Sequence, residues 1–377
     1  MNSDKHNCQV FHFDLYGTRE EKYDYLNTHS LSDVAWEELN PQEPQCFFAP
    51  KDFELQEEYE RGFKVEELIP IYTSGVKTSN DEELTSKKEF NLPTNRIYFF
   101  RPFDVQFINY DFKKVGRPRY NVMKHFEKDN LGLLICKQAA TEKYGYFVTK
   151  GITDINYTGT AGKFGAGLIF PLYIYKENMG TEERVPNLSS QIVKSIEQSL
   201  GEPVEPLALF DYIYAVLHSP GYRERYKEFL KIDFPRIPYP ADSGQYHRLA
   251  EKGAELRRLH LMEDLPQRTG VSFPASGTMQ VDGYRWQENR VYINSEQYFE
   301  GVPASAWNFY IGGYQPAQKW LKDRKGTALS FEDVKHYQRI VYVLQQTERI
   351  MQEIDGIMSK AREYAPACGL GSPHSYH

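Results

Sequence analysis

The chain has 377 residues, more than one ordinary domain, and is 40% hydrophobic and 15% aromatic, enough for a packed core and incompatible with wholesale disorder. No apolar run approaches the roughly 20 residues that span a bilayer, and the polar stretch Met1 to Val10 lacks an apolar signal core, so no membrane partner and no secretion are expected. A net charge of −7 speaks against a polyanionic partner only until it is divided: residues 1–95 carry 20 Asp and Glu against 9 Lys and Arg, and the remainder 32 against 36.

In chain order, Val10 to Tyr16 reads as a strand, and Thr18 followed by Glu21 reads as a capping box opening a short helix to Leu26. Three prolines between 41 and 50 make that stretch an extended connector. Leu55, Tyr59, Phe63 and Leu68 recur at helical spacing over the acidic segment 53–69, and Ser74 to Asp81 is a polar loop. From Arg96 to Tyr175 the composition turns β-like, with strands at 97–100, 131–136, 144–149 and 167–175. Helices follow at 188–200, capped by Asn187 and closed by Gly201, at 205–217 and 222–230 around Ser219-Pro-Gly221, and at 245–261. Tyr284 to Ile293 returns to a strand pattern, and 331–354 is a long amphipathic helix. The tail, 356–377, is expected to be disordered. The sum is an α+β chain, strands in the middle and helices towards the end.

The four cysteines, Cys8, Cys46, Cys136 and Cys368, form neither a Cys-x-x-Cys pair nor a zinc pattern, so reduced thiols in a cytoplasm are expected and no metal. There is no Gly-x-Ser-x-Gly elbow, no His-Glu-x-x-His and no phosphate loop, and no acidic pair stands beside a lysine on a strand as a nuclease core requires. The glycine-rich stretch Thr158 to Gly167 fits no nucleotide fingerprint and reads as a hairpin or loop. His125, His218 and His260 lie in apolar surroundings and read as packed side chains.

The distinctive feature is residues 96–128, with eight bases (Arg96, Arg101, Lys113, Lys114, Arg117, Arg119, Lys124, Lys128) against three acids. Arg101-Pro-Phe-Asp104 and Gly116-Arg-Pro-Arg-Tyr120 each set a proline beside arginine, which keeps the chain extended and projects the guanidinium, a planar fork suited to phosphate or to the O6 and N7 of guanine. Tyr110, Phe112 and Tyr120 lie among these cations as candidate base supports. Arg101 is open to two readings, DNA contact or a brace to Asp104 or Asp111. Arg117 and Arg119 have no acid within five residues and are expected to meet an anion.

These residues also resemble a family. Phe11 to Lys22, Glu37 to Pro41 and Phe47 to Phe53 look like the end of the methyltransferase region in large single-chain restriction–modification enzymes. Arg101 to Asp104 with Gly116 to His125 resembles the start of their target-recognition domain. Asp211 to Pro220, Tyr222 to Pro238 and Trp307 to Gly326 are similar to the C-terminal specificity region of type ISP and related adenine methyltransferases. The resemblance covers roughly 10–355. It implies an end of a methyltransferase-like region and linker at 1–92 and a β-rich DNA-specificity domain at 93–355 with a helical C-terminal part. It also brings in Lys77 and Thr78 of Gly75-Val-Lys-Thr78, although Ser79-Asn80 stands where family enzymes carry an arginine. The family's cofactor loop and Asn-Pro-Pro catalytic motif, which holds the flipped adenine, are missing; the chain has no Pro-Pro pair.

The expectation is therefore a DNA-recognition module of an adenine-specific methyltransferase, with double-stranded DNA as partner. Its DNA-binding residues would be Lys77, Thr78, Arg101, Lys113, Lys114, Arg117, Arg119, Tyr120 and Lys124. No catalytic residue is expected, and S-adenosylmethionine only in a complete enzyme, through a separate methyltransferase or restriction subunit or a longer chain. The alternatives are a protein-interaction scaffold and a hydrolase of unrecognised type.

Overall fold

The computed structural model describes residues 8–41, 46, 48, 50, 53–139, 143–159, 167–178 and 181–364. The chain divides into two compact units, Met1–Arg61 and Gly62–His377. In the smaller, strands Val10–His12 and Glu37–Leu39 pair antiparallel, and the helix Arg19–Thr28 lies between them in sequence. The capping box forms as expected: Thr18 Oγ1 accepts from the Glu21 amide at 3.3 Å, and Glu21 accepts from the Thr18 amide at 2.7 Å. The first strand stops at His12 instead of reaching Tyr16, and the helix buries no residue.

The larger unit contains two four-stranded sheets. One has the order Ile152–Thr153, Asn95–Arg101, Asp104–Asn109, Thr85–Ser86, built on a hairpin whose turn puts Phe103 in the left-handed region at φ +63°. The other runs Thr73–Ser74, Gly167–Pro171, Gly132–Cys136, Phe147–Thr149. Every residue of Gly132–Cys136 and Phe147–Thr149 is buried, which is why these strands read as continuous apolar runs without alternation.

Helices Pro206–His218, Ser243–His260 and Phe331–Tyr364 pack beside the sheets. A Cβ on Gly253 would lie 1.8 Å from the Asp211 carbonyl oxygen, so glycine alone permits the close approach of the first two. Arg257 then closes a two-pronged ion pair on the buried Asp211 at 2.7 and 3.0 Å. A three-stranded antiparallel sheet, Arg285–Gln287, Arg290–Tyr292 and Tyr298–Glu300, turns Val291 and Phe299 into the core that also holds Trp307, Trp320 and Tyr337.

Several expectations change. The helix expected over 53–69 is broken: Phe53–Glu60 ends before Gly62, and Phe63–Lys64 becomes a strand on Arg236–Ile237 before the short helix Val65–Leu68. Asn187 does not cap a helix, because its amide bonds the Ile71 and Pro171 carbonyls and the Ile71 N–H; the helix begins at Ser190 after Ser189. Gly201 does close it, at φ +73°. The final helix runs ten residues beyond 354, to Tyr364, because its apolar spacing continues through Met358. Residues 365–377, and 160–166 of the glycine-rich stretch, lie outside the described residues. No helix among the described residues is long and apolar enough to cross a membrane, and no His, Cys, Asp and Glu group among them could hold a metal ion.

Candidate nucleic-acid interface

The segment expected to be a polar loop, Ser74 to Asp81, is instead stitched into the sheets. Thr73–Ser74 forms a strand edge; Val76 then exchanges hydrogen bonds with the Thr153 carbonyl (2.8 Å) and the Ile155 amide (2.9 Å). Lys77 next pairs antiparallel with Arg117, its N–H donating to the Arg117 carbonyl at 3.2 Å and its carbonyl accepting at 2.9 Å. Alternation decides what points where: Val76 and Thr78 are buried, and Lys77 is exposed. Gly116 lets the two segments meet, since a Cβ there would lie 2.2 Å from Ser79 Oγ.

Directly opposed residues of an antiparallel pair carry their side chains on the same face, so Lys77 and Arg117 present two like charges side by side, an arrangement that costs stability when nothing neutralises it. Both are exposed, and neither has an ion pair among the described residues.

The loop that delivers Arg117 is built from its own residues. The Asp111 carbonyl accepts from the amides of Lys114 and Val115, and its carboxylate accepts from the Lys113 amide at 3.0 Å, making a tight turn. The Tyr110 hydroxyl donates to the Pro118 carbonyl and ties the turn's two ends together. Phe112 lies between Tyr110 and Tyr120, with ring centroids 5.3 and 4.4 Å away, and both Phe112 and Tyr120 remain exposed. Arg119 adopts the left-handed conformation (φ +57°), and its carbonyl receives the amides of Val122 and Met123, starting the short helix Tyr120–Met123. Its Nε is enclosed without an acceptor among the described residues. Lys113 and Lys124 are exposed and have no ion pair among the described residues.

Three of the expected contact residues, Thr78, Arg101 and Lys114, are engaged with carboxylates of the chain itself. The Thr78 hydroxyl is buried and donates to the Asp81 carboxylate. Arg101 is 13% exposed, bonds Asp154 at 2.7 Å and lies over the Phe100 ring. Tyr98 donates to the same carboxylate at 2.5 Å; burial raises the Asp154 pKa against the opposing pull of Arg101. Asp104 is taken by the buried Arg324 at 3.0 Å, so the partner of Arg101 is neither Asp104 nor Asp111. Lys114 reaches Glu83 at 3.4 Å, Arg96 binds Glu127, and Lys128 binds Glu182. The basic stretch read from the sequence thus divides into neutralised cations and a bare set of Lys113, Arg117, Arg119 and Lys124, joined by Lys77.

The three histidines are packed side chains, as expected, and the segment 307–320 forms a corner in which Trp307, Tyr314 and Trp320 are buried. His125, His218 and His260 are buried, with the His125 Nδ1 accepting the Tyr175 amide. In the corner, a Cβ on Gly312 (φ +55°) would lie 1.9 Å from the Thr158 carbonyl oxygen, and the Gly312 and Gly313 amides bond the Tyr144 and Thr158 carbonyls.

A profile of the "Type ISP C-terminal specificity domain" matches residues 52–353. No curated protein matches. Among solved structures, the chain is similar to the DrdV–DNA complex (18% identity, TM-score 0.70, 89% of this chain and 42% of that one). It is similar to the ATP-dependent Type ISP restriction-modification enzyme LlaBIII bound to DNA (15%, TM-score 0.67, 86% and 25%). A third is a nuclease-deletion mutant of the Type ISP enzyme LlaGI in complex with a DNA substrate mimic (16%, TM-score 0.68, 93% and 33%). The chain therefore spans less than half the length of each of these proteins.

Proposed function

The chain belongs to the family of Type ISP C-terminal specificity domains, and from that premise we propose that it recognises a sequence in double-stranded DNA for an adenine-specific methyltransferase of a restriction–modification system. The observation that carries this reading is the facing pair Lys77 and Arg117, two exposed cations held rigidly together with no carboxylate among the described residues to neutralise them. A phosphate between them removes the repulsion and gains two charge-assisted hydrogen bonds. Lys113, Arg119 and Lys124 extend the same cationic surface, and Tyr120 with Phe112 supplies an aromatic edge. Thr78 and Arg101 act behind it, through Asp81 and Asp154, while Lys114 is exposed and paired with Glu83. The specificity domain proper spans 93–355 in this reading, with Val76 to Thr78 reaching into it from the preceding region.

The methyl donor and the adenine pocket belong to a methyltransferase part on a separate subunit or elsewhere in a longer chain. This chain binds no cofactor and performs no transfer. Its setting is the cytoplasm, where Cys136 stays reduced; burial pushes that thiol up to about 11.

Anisotropy titrations of a labelled duplex over a range of salt test the surface. Lys77→Ala and Arg117→Ala are each expected to weaken binding and to flatten the salt dependence by about 0.9 in log–log slope, the loss of one phosphate contact. Unchanged affinity and slope in both variants, with intact thermal melts, would remove the surface from the account.

A further inference from the structure

The three-stranded sheet has a face that the fold does not use. Its register places Trp286, Val291 and Phe299 in one row, and these supply the packing: Val291 and Phe299 are fully buried, and the Trp286 indole N–H donates to the Val302 carbonyl at 2.8 Å. The alternate positions, Arg285 opposite Tyr292 opposite Tyr298 and Gln287 opposite Arg290 opposite Glu300, all point the other way, and none is buried. A solvated face of a small sheet needs only polar residues. This one carries an organised set.

The Arg285 guanidinium lies 4.2 Å from the Tyr292 ring centroid and donates to the Gln287 side-chain oxygen at 3.0 Å, with no carboxylate partner among the described residues. Arg290 is the opposite case: it gives two hydrogen bonds to Glu300 at 3.0 and 2.8 Å and lies over Tyr298, so its charge is cancelled on the face. The hairpin is closed by only two residues, Glu288 and Asn289, both left-handed (φ +50° and +59°), the backbone of a type I′ turn. The Asn289 carbonyl is pinned by the Gly301 and Val302 amides at 3.0 and 2.9 Å. The turn is therefore tight and fixed at its tip.

We infer that this face is a base-reading surface, entering the major groove of duplex DNA with Arg285 and Gln287 as the discriminating side chains. The inference rests on the DNA-recognition reading above and adds to it which residues specify sequence. β-Sheets can present the side chains of their strands to a groove of the duplex. A guanidinium stacked on an aromatic ring and braced by an amide presents its fork in one orientation, as bidentate contact with guanine O6 and N7 requires, and glutamine makes the matching contact with adenine N6 and N7. The cationic loop around Lys77 and Arg117 does different work: it offers bare charge, which suits phosphate and carries no sequence information. The two surfaces therefore predict separable defects.

Selection from a random duplex pool by the full chain, followed by titration of selected and scrambled duplexes, tests this. The wild type is expected to yield a consensus. Arg285→Lys keeps the charge and loses the fork, and it is expected to lose about tenfold or more of the discrimination at one base pair while its affinity for scrambled duplex stays within about twofold. Gln287→Ala is expected to relax an adjacent position, and Arg117→Ala to weaken all duplexes while leaving the consensus unchanged. Both hairpin substitutions are exposed, and thermal melts check that they fold. A consensus unchanged in Arg285→Lys and Gln287→Ala overturns the inference and leaves the DNA reading intact. So does a wild type that binds duplex without preference. A wild type that retains no duplex overturns both.

Discussion

Trp320 is 2% exposed, with the Tyr337 and His336 rings 5.4 and 5.8 Å from its own and the Arg324 guanidinium 3.6 Å from its centroid. Arg324 is itself held by Asp104, so the indole fills the space between the long C-terminal helix and the turn at Phe103. Trp320→Ala is expected to cost about 3–5 kcal/mol of stability, read as a large fall in melting temperature. A normal melt with lost sequence discrimination would instead make Trp320 a base contact. Its structural role was legible in the sequence because aromatics of this size are mostly buried. The roles of the arginines were only half legible. Arg101 and Arg117 both precede a proline, yet Arg101 meets an acid 53 positions along the chain and Arg117 meets none among the described residues. Local acid spacing points to the unpaired Arg117 but misses the Asp154 partner of Arg101, because strand pairing decides which charges become neighbours.

At the scale of elements, the helices Pro206–His218, Ser243–His260 and Phe331–Tyr364 meet at His260. The Thr347 hydroxyl donates to the Val343 carbonyl at 2.7 Å, so it accepts from His260 Nε2–H at 3.0 Å, and Nδ1 is left to accept from the Tyr214 hydroxyl at 2.5 Å. The ring is neutral, and burial, helped by Arg223, pulls its pKa down to about 3 from an ordinary 6.5. The folded state thus resists a proton that the unfolded chain accepts. His260 contributes its full stability above pH 6.5 and loses it progressively towards pH 3, about 2 kcal/mol by pH 5. Urea unfolding at pH 7 and pH 5 is expected to show a shallower pH dependence in His260→Gln than in the wild type; equal dependence would exclude this network as an acid-sensitive joint. Helix positions were legible wherever an apolar period ran on unbroken, as over 331–354. Short elements were not: Phe63–Lys64 and the Lys77–Arg117 bridge exist only because a distant segment supplies their hydrogen bonds, and single-sequence periodicity carries no trace of that partner.

For the whole molecule, the missing glycine-rich cofactor loop and Pro-Pro motif lead to a direct expectation. Calorimetric titration of the chain with S-adenosylmethionine gives no saturable heat, and a micromolar site would overturn the division of labour proposed above. The α+β class and the specificity region were legible because long sequence blocks, Tyr222 to Pro238 and Trp307 to Gly326, carry them. The interface was less so, because a net charge of −7 averages an acidic N-terminal part with a cationic patch. That patch also makes dissolved ions act on the protein with two opposite signs. In the free domain, dissolved salt is expected to screen the repulsion between Lys77 and Arg117. On the proposed reading, binding releases cations condensed on the duplex, and that release becomes part of the driving force. On that reading, raising the salt concentration eases the repulsion within the empty pair and, at the same time, loosens its hold on the duplex.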